Sequence, residues 1–534
     1  EITETNQLAD FEFELEPYYY EKKQEWDKEG VKPGTSKLEI DAKDYRTKAE
    51  VGIEVGNYGA EQDVLLFTDP SGWAEYEITV DESGLYEIGL SYLPFFEEDG
   101  GSRQSVVIGA QINGEFPSRE ARSFEFRRNY RDQEAQYDDE DNQIRSLVED
   151  ITDWDKQMLR DSGVSVAPFV FHLDKGKNTI KLQALRESVA IKDITIQPPT
   201  TYPTYEEVKA LYPEGSSEAR ELITIEAEDF SNKNSTSIQV QYDRSPLTTP
   251  ESLKKIKFNT LGGMSWYKGG QKVSWEFEVP ESGEYKLAFR GLQNFQDNLS
   301  IFRTIYIDGE ILFEELKHYQ IPYSSGWQEI VLEDESSDPY TFFFEKGTHT
   351  ITFEATHEPF DPLVVEIDNL SREIRDITLE LQVASGSQED AFRVWNVKEE
   401  LPGLIESMGA MQQKLEDMAT KMIEINGGTT NISQSFESIA KELASLLEEP
   451  NEIPNNQVRI GALQEQLETQ RQELLSSPLQ IDKFYLAPLS EGFPRMTANW
   501  FEKIKGTFNT LVYSFSERNN LREQTDEELN VWMM

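Results

Sequence analysis

Residues 275–287 read WEFEVPESGEYKL, and residues 76–88 read YEITVDESGLYEI. In both, apolar and charged residues alternate up to a Ser-Gly turn, and a second apolar run follows. That is the pattern of a β-hairpin with one buried face. Outward from this pair the likeness continues. QINGEF at 111–116 answers YIDGEI at 306–311, and FHLDKGKNTIKLQA at 171–184 answers FFEKGTHTITFEA at 343–355. Three blocks in the same order make one β-rich unit present twice, each copy far too long for a solenoid repeat. The repeated blocks are strands and turns without clusters of reactive side chains, which points to binding.

The chain has 534 residues, room for three or four domains with full cores. Aromatic residues make up 11%, which argues against global disorder. With 100 acidic against 51 basic residues the net charge is −49, a surface that repels nucleic acid and anionic membranes. Cysteine is absent, which excludes disulfides, cysteine-rich zinc sites and a cysteine nucleophile. No run of 18 apolar residues is present to span a membrane, and there is no signal peptide. A start at Glu1 suits a mature or trimmed chain.

The segments divide as follows. Residues 1–36 read as a tether or irregular arm, 37–199 as the first β-sandwich, and the proline-rich stretch within 200–220 as a linker. The second sandwich spans 221–362. The first copy is longer between its matched blocks, around 120–165, where an excursion with one helix over 143–161 is expected. After 362 the apolar spacing changes to three and four: Leu363, Ile367, Leu370, Ile374, Ile377 and Leu381. Further helices are expected over 404–425, 431–448 and 456–476, together a bundle within 363–520. PLQIDKFYLAP at 478–488 reads as a lone strand in that domain, and a last helix is expected over 497–516. Residues 521–534 end in LNVWMM, read as the first strand of a domain cut off.

Catalysis has no positive sign. GGMSWYKGG at 262–270 lacks the Lys-Ser/Thr pair of a phosphate loop, and no nucleophile elbow or H-E-x-x-H occurs. His172, His318, His349 and His357 lack metal-ligand spacing. Binding has candidates. Trp266 and Tyr267 stand in a glycine-flanked loop before a strand, where an aromatic face could stack on a pyranose ring. Arg290, Gln293 and Asn294 end the next strand and could bond its hydroxyls. The other reading makes Trp266 core and Arg290 a surface charge. In the first copy Phe67 and Thr68 take the places of Trp266 and Tyr267, with Trp73 and Tyr58 as loose substitutes. IEAEDF puts Glu226 and Glu228 on one face of a first strand, a possible structural calcium site. The first copy has Asp41 and Lys43 there. A closing aspartate is expected on the last strand, and the candidate, Asp368, falls in a helical stretch.

The E-x-E opening and WEFEVPESGEYKL resemble jelly-roll carbohydrate-binding modules. Taken with IYIDGEILFEELKHYQIPY, YTFFFEKGTHTITFEA, the helices from 363, PLQIDKFYLAPLSEGFP and EELNVW, the chain after about residue 37 resembles one larger arrangement. It is the N-terminal half of large extracellular solute-binding lipoproteins of carbohydrate ABC importers in Gram-positive bacteria. The resemblance implies two jelly-roll-like sandwiches followed by an α-helical bundle, a lipid anchor on a cysteine that this chain lacks, and a solute-binding domain after residue 534. It also implies oligo- or polysaccharide as ligand and an ABC permease as partner reached through that domain. The function expected is non-catalytic capture or positioning of glycans at the cell surface. A structural spacer and the binding modules of a truncated glycoside hydrolase are the alternatives.

Overall fold

A computed structural model of the chain describes residues 16–95, 104–213, 220–252, 254–385, 394–499 and 502. It divides into two compact units. One comprises 1–128, 152–161 and 167–200; the other comprises 129–151, 162–166 and 201–534.

The first unit is a β-sandwich. One sheet carries Trp73–Val80, Gly176–Arg186 and Val106–Ile112 side by side. The other is centred on Gly84–Phe95 and Ser188–Gln197, with Leu38–Asp41 on the latter's edge. Alternation decides the faces: Ala74, Tyr76, Ile78 and Val80 are buried, and the residues between them are not. The second unit repeats this plan with Lys272–Val279, Gly347–Thr356 and Ile301–Ile307 in one sheet. The matched INGE and IDGE turns keep their backbone. Asn113 and Gly114 have φ of 53° and 87°, Asp308 and Gly309 of 51° and 84°. Two consecutive positive φ values make the tight hairpin turn whose twist suits the strands, which is why Asn-Gly and Asp-Gly recur there.

Three features depart from the expected layout. First, Leu479–Pro488 is not a lone strand of the helical domain. It lies between Gly283–Leu292 on one side and Thr260–Gly263 and Ile223–Glu226 on the other, as the central strand of the second sandwich's other sheet. Its counterpart in the first sandwich is Ser188–Gln197, reached from Gly176–Arg186 through Glu187 alone. In the second, residues 357–478 occupy that one-residue link. They hold four long helices, Asp361–Ser385, Leu404–Asn426, Asn431–Glu448 and Gln457–Leu474, among the described residues. The bundle is therefore inserted in the sandwich, before its closing strand. The methionine stripe of the second helix is core: Met408, Met411, Met418 and Met422 are buried with the leucines and isoleucines of the other three. Gly427, at φ 76°, ends that helix. The same apolar cluster takes in Leu299 and Phe302 of the sandwich, with Phe302 edge-on to Phe360 at 5.3 Å.

Second, the excursion around 120–165 contains strands in place of the expected helix. Asn129–Asp132 and Val148–Ile151 pair with each other and extend the second unit's sheet beside Asn232–Lys233. Asp132 meets Lys233 there at 2.7 Å. Lys233 is almost fully buried, also donates to the Ile238 carbonyl at 2.8 Å, and lies over the Phe230 ring. The arm also differs from expectation, with a helix at Tyr19–Glu29. The linker contains the short helix Tyr205–Lys209, whose Tyr205 is buried in the second sandwich's core. The expected helix at 497–516 and the segment 521–534 lie outside the described residues, apart from 497–499 and 502.

Removing one partner of a buried ion pair leaves the other charge unpaired, at a cost of about 3 kcal/mol or more. Asp132→Ala should therefore lower the stability of the second unit by about 3 kcal/mol in urea titrations of the whole chain. The pair Asp132→Leu with Lys233→Met should recover most of the loss. Equal stability of the wild type and Asp132→Ala would show that the added strands contribute nothing.

Candidate functional site

The residues expected to hold a sugar are placed by the need to mount the bundle. Trp266 has no exposed surface. Its ring lies 6.2 Å from that of Trp275, and its Nε1 donates to the Gln271 carbonyl at 3.1 Å. The Arg303 guanidinium lies over the Trp266 ring at 4.7 Å. Arg303 in turn donates to Oγ and to the carbonyl oxygen of Ser477, both at 2.7 Å, just where the chain leaves the last helix. Tyr267 is half-buried. Its N–H donates to Gln271 Oε1 and its carbonyl accepts from the Ser477 N–H. Gly262, at φ 101°, lies so close to Leu479 that a Cβ would stand 2.3 Å from the Leu479 carbonyl oxygen. At the other root of the bundle, a Cβ on Gly269 would stand 2.7 Å from the His357 ring. His357 Nδ1 lies 3.0 Å from Asp361 Oδ1 at the start of the first helix. GGMSWYKGGQ is thus a bracket that touches both roots of the insertion. The expected aromatic platform at Trp266 is corrected to a buried clamp.

Arg290 and Gln293 are buried as well, so neither is open to a ligand. Arg290 Nε donates to the Met496 carbonyl, Nη1 to Thr248 Oγ1 and Asp482 Oδ2, and Nη2 to the Pro246 carbonyl, at 2.7–2.9 Å. The guanidinium also lies 4.5 Å over the Trp327 ring. Gln293 donates to the Leu299 carbonyl and accepts from the Phe295 N–H, which shapes its own loop. Asn294 alone of the five is exposed.

Glu226 and Glu228 lie beside the closing strand, and the aspartate expected there is Asp482. Asp368 sits in the first bundle helix and pairs with Arg471 at 2.7 Å. Calcium takes six to eight oxygens, and around these carboxylates the structure places cationic side chains. Lys483 Nζ stands 3.2 Å from Glu226 Oε2 and 3.9 Å from Asp482 Oδ2, and Arg290 holds the latter at 2.8 Å. Among the described residues no three His, Cys, Asp or Glu side chains gather in a metal-holding group. The first copy balances the same edge differently: Ser91, facing Asp193, donates to it at 2.7 Å, and Lys43 lies 3.7 Å from Asp41. Burial is the main force on the Glu228 carboxyl and pushes its pKa up to about 8 against a backbone hydrogen bond, with Glu226, Asp229 and Asp482 adding to the rise. Burial likewise raises Asp482, to about 6 against the pull of Arg290 and Lys483.

What the two loops do leave open is a groove of about 480 Å³ against the bundle. Met264, two residues before Trp266, and Phe295 and Gln296, just after Asn294, form its sandwich side. Asn431, Gln472 and Glu473 stand on the helical side. Met264 is 59% exposed, unusual for so apolar a side chain. Gln296 Nε2 donates to the Glu473 carbonyl at 2.8 Å, and its Oε1 has no partner within the protein. The sequence pointed to these loops but to the wrong side chains in them. The exposed methionine at 264 was the available signal.

Residues 362–472 match the family model described as the 4-helix bundle domain of bacterial solute-binding proteins. No curated protein is similar to the chain. Similar solved structures include a family 35 carbohydrate binding module from Clostridium thermocellum, 13% identical, covering 30% of this chain and 98% of that one at a TM-score of 0.20. The C-terminal CBM6 of the laminarinase LamC from Zobellia galactanivorans is 14% identical over 30% and 99%, at 0.19. A module of Cellvibrio mixtus lichenase 5A, in complex with cellotriose, is 13% identical over 31% and 98%, at 0.18. Superposition at this level carries no inference, and the sandwich assignment rests on the strand order given above.

Glu228 and Asp482 hold protons more tightly in the folded chain than their ordinary values of 4.5 and 3.8. The stability this confers is complete below those values and is lost as pH rises through about 6 and then about 8. Glu228→Gln should remove the upper part of the loss. It should be about 1–2 kcal/mol more stable than the wild type at pH 9, and level with it near pH 5, in urea melts. A variant less stable than the wild type at pH 9 would mean that a charged Glu228 is wanted there.

Proposed function

We propose that this chain is the non-catalytic accessory region of a bacterial solute-binding protein. It captures or positions carbohydrate outside the cell beside the domain that delivers solute to an ABC permease. One observation carries the reading. The helices that match the solute-binding 4-helix bundle are inserted between the last two strands of the second sandwich and share an apolar cluster with it. Sandwich and bundle therefore act as one piece of the same machinery. The strand plan common to both copies, with exposed loops at the ends of the sheets, is a scaffold suited to holding a ligand between loops. The strong negative charge favours a neutral ligand over a polyanion. A lipoprotein anchor is part of the proposal and would keep the bundle at a set height above the membrane.

A spacer without ligand is the second reading, favoured by the burial of Trp266, Arg290 and Gln293. Affinity electrophoresis separates the two. In gels containing soluble mannan, xylan or laminarin, the chain should be retarded by at least one polysaccharide relative to a protein that binds none. Unchanged mobility in all three would leave the spacer.

A further inference from the structure

We infer that the groove between the second sandwich and the helical bundle binds a short neutral oligosaccharide, its pyranose face on Met264 and Phe295. The inference rests on the glycan-capture reading and gives it a place. The groove is built from two separate sources. Met264 comes from the bracket loop, and Phe295 to Asp297 come from the loop between Gly283–Leu292 and Ile301–Ile307. The opposite wall is the start of the third bundle helix and the end of the fourth. Both walls are fixed to each other. Asn426, at the end of the second helix, donates to the Asn298 carbonyl at 3.0 Å and accepts from the Ser300 N–H at 2.7 Å. Gln296 ties the loop to the fourth helix through the Glu473 carbonyl. A site held this way is preformed, so little ordering opposes binding.

Its chemistry selects the ligand class. At about 480 Å³ the groove is within the range of small-molecule sites, about 300–1,000 Å³. One wall offers a thioether and an aromatic ring, surfaces that the apolar face of a pyranose can cover. The rest offers amides, threonine and serine hydroxyls and carboxylates, matched to the paired donor and acceptor character of sugar hydroxyls. Among the described residues no lysine, arginine or histidine lines the groove, whereas Asp297 and Glu473 do. An anionic glycan would find two carboxylates and no counter-charge. None of the residues first suspected, Trp266, Tyr267, Arg290, Gln293 and Asn294, lines it.

The test is calorimetric titration of the whole chain with cellotriose, mannotriose and galactotriose, and with trigalacturonate as the anionic comparison. At least one neutral trisaccharide should bind, and trigalacturonate should bind at least tenfold more weakly. Gln472→Trp, at an exposed helix position, should fill the groove and weaken the neutral sugar at least tenfold without lowering the melting temperature. Phe295→Ala should weaken it by a similar factor. If a neutral trisaccharide binds but neither variant weakens it, the groove is not the site, though the glycan-capture reading stands. Trigalacturonate binding as tightly as the neutral sugars overturns the ligand class. Failure of every neutral sugar to bind removes both the groove and the reading on which it rests.

Discussion

The second unit depends on a strand that the chain supplies late. Leu479–Pro488 is the middle of its sheet, hydrogen-bonded on both sides, yet four helices intervene between it and the strand that precedes it in the repeat plan. A sheet missing its central strand exposes two unpaired ladders, and unpaired buried backbone groups are costly. The sandwich is therefore complete only when the bundle returns the chain to the right place. The Arg303 clamp fixes that place. Its charge is buried between Trp266 and Ser477, and two bonds to Ser477 hold the chain between the end of the last bundle helix described, Leu474, and the closing strand.

This constraint explains the divergence of the two copies. The strands and the Asn-Gly and Asp-Gly turns are kept because every sandwich of this plan needs them. The GGMSWYKGGQ loop is particular to the second copy because only there must the sheet edge carry an insertion. In the first copy the link is Glu187 alone, and Phe67 and Thr68 suffice where Trp266 and Tyr267 stand in the second. The same economy appears at the first strand. Each copy balances the charges on its closing strand from within, by Ser91 in one and by Arg290 and Lys483 in the other.

Periodicity made the strands, the turns and the bundle helices legible, because spacings of two and of three to four follow directly from which face is buried. It could not tell the membership of Leu479–Pro488. A strand after a bundle looks the same whether it stands alone or closes a sheet begun 250 residues earlier, since partner choice is a long-range matter. Trp266 misled for a related reason: an aromatic between glycines fits an exposed platform and a tight bracket equally well. The glycines carried the answer, since Gly262 and Gly269 are hemmed in by Leu479 and His357, close approaches no sequence pattern displays. Asp132 was unreadable too, because its partner, Lys233, is about 100 residues away.

The consequence for function is a division of labour within one loop. Its aromatic residues and glycines hold the bundle, and Met264, which they leave outside, helps to form the groove that the bundle closes. Binding and mounting are then coupled: anything that loosens the bracket moves one wall of the groove against the other. The claim on which all of this rests is that the closing strand and the sandwich form one cooperative structure. Native-state hydrogen exchange measures it directly. The amides of Leu479–Pro488 should open only with those of Gly283–Leu292, at the same free energy and with the same steep denaturant dependence. Exchange of Leu479–Pro488 at a much lower free energy, with Gly283–Leu292 still protected, would contradict the account.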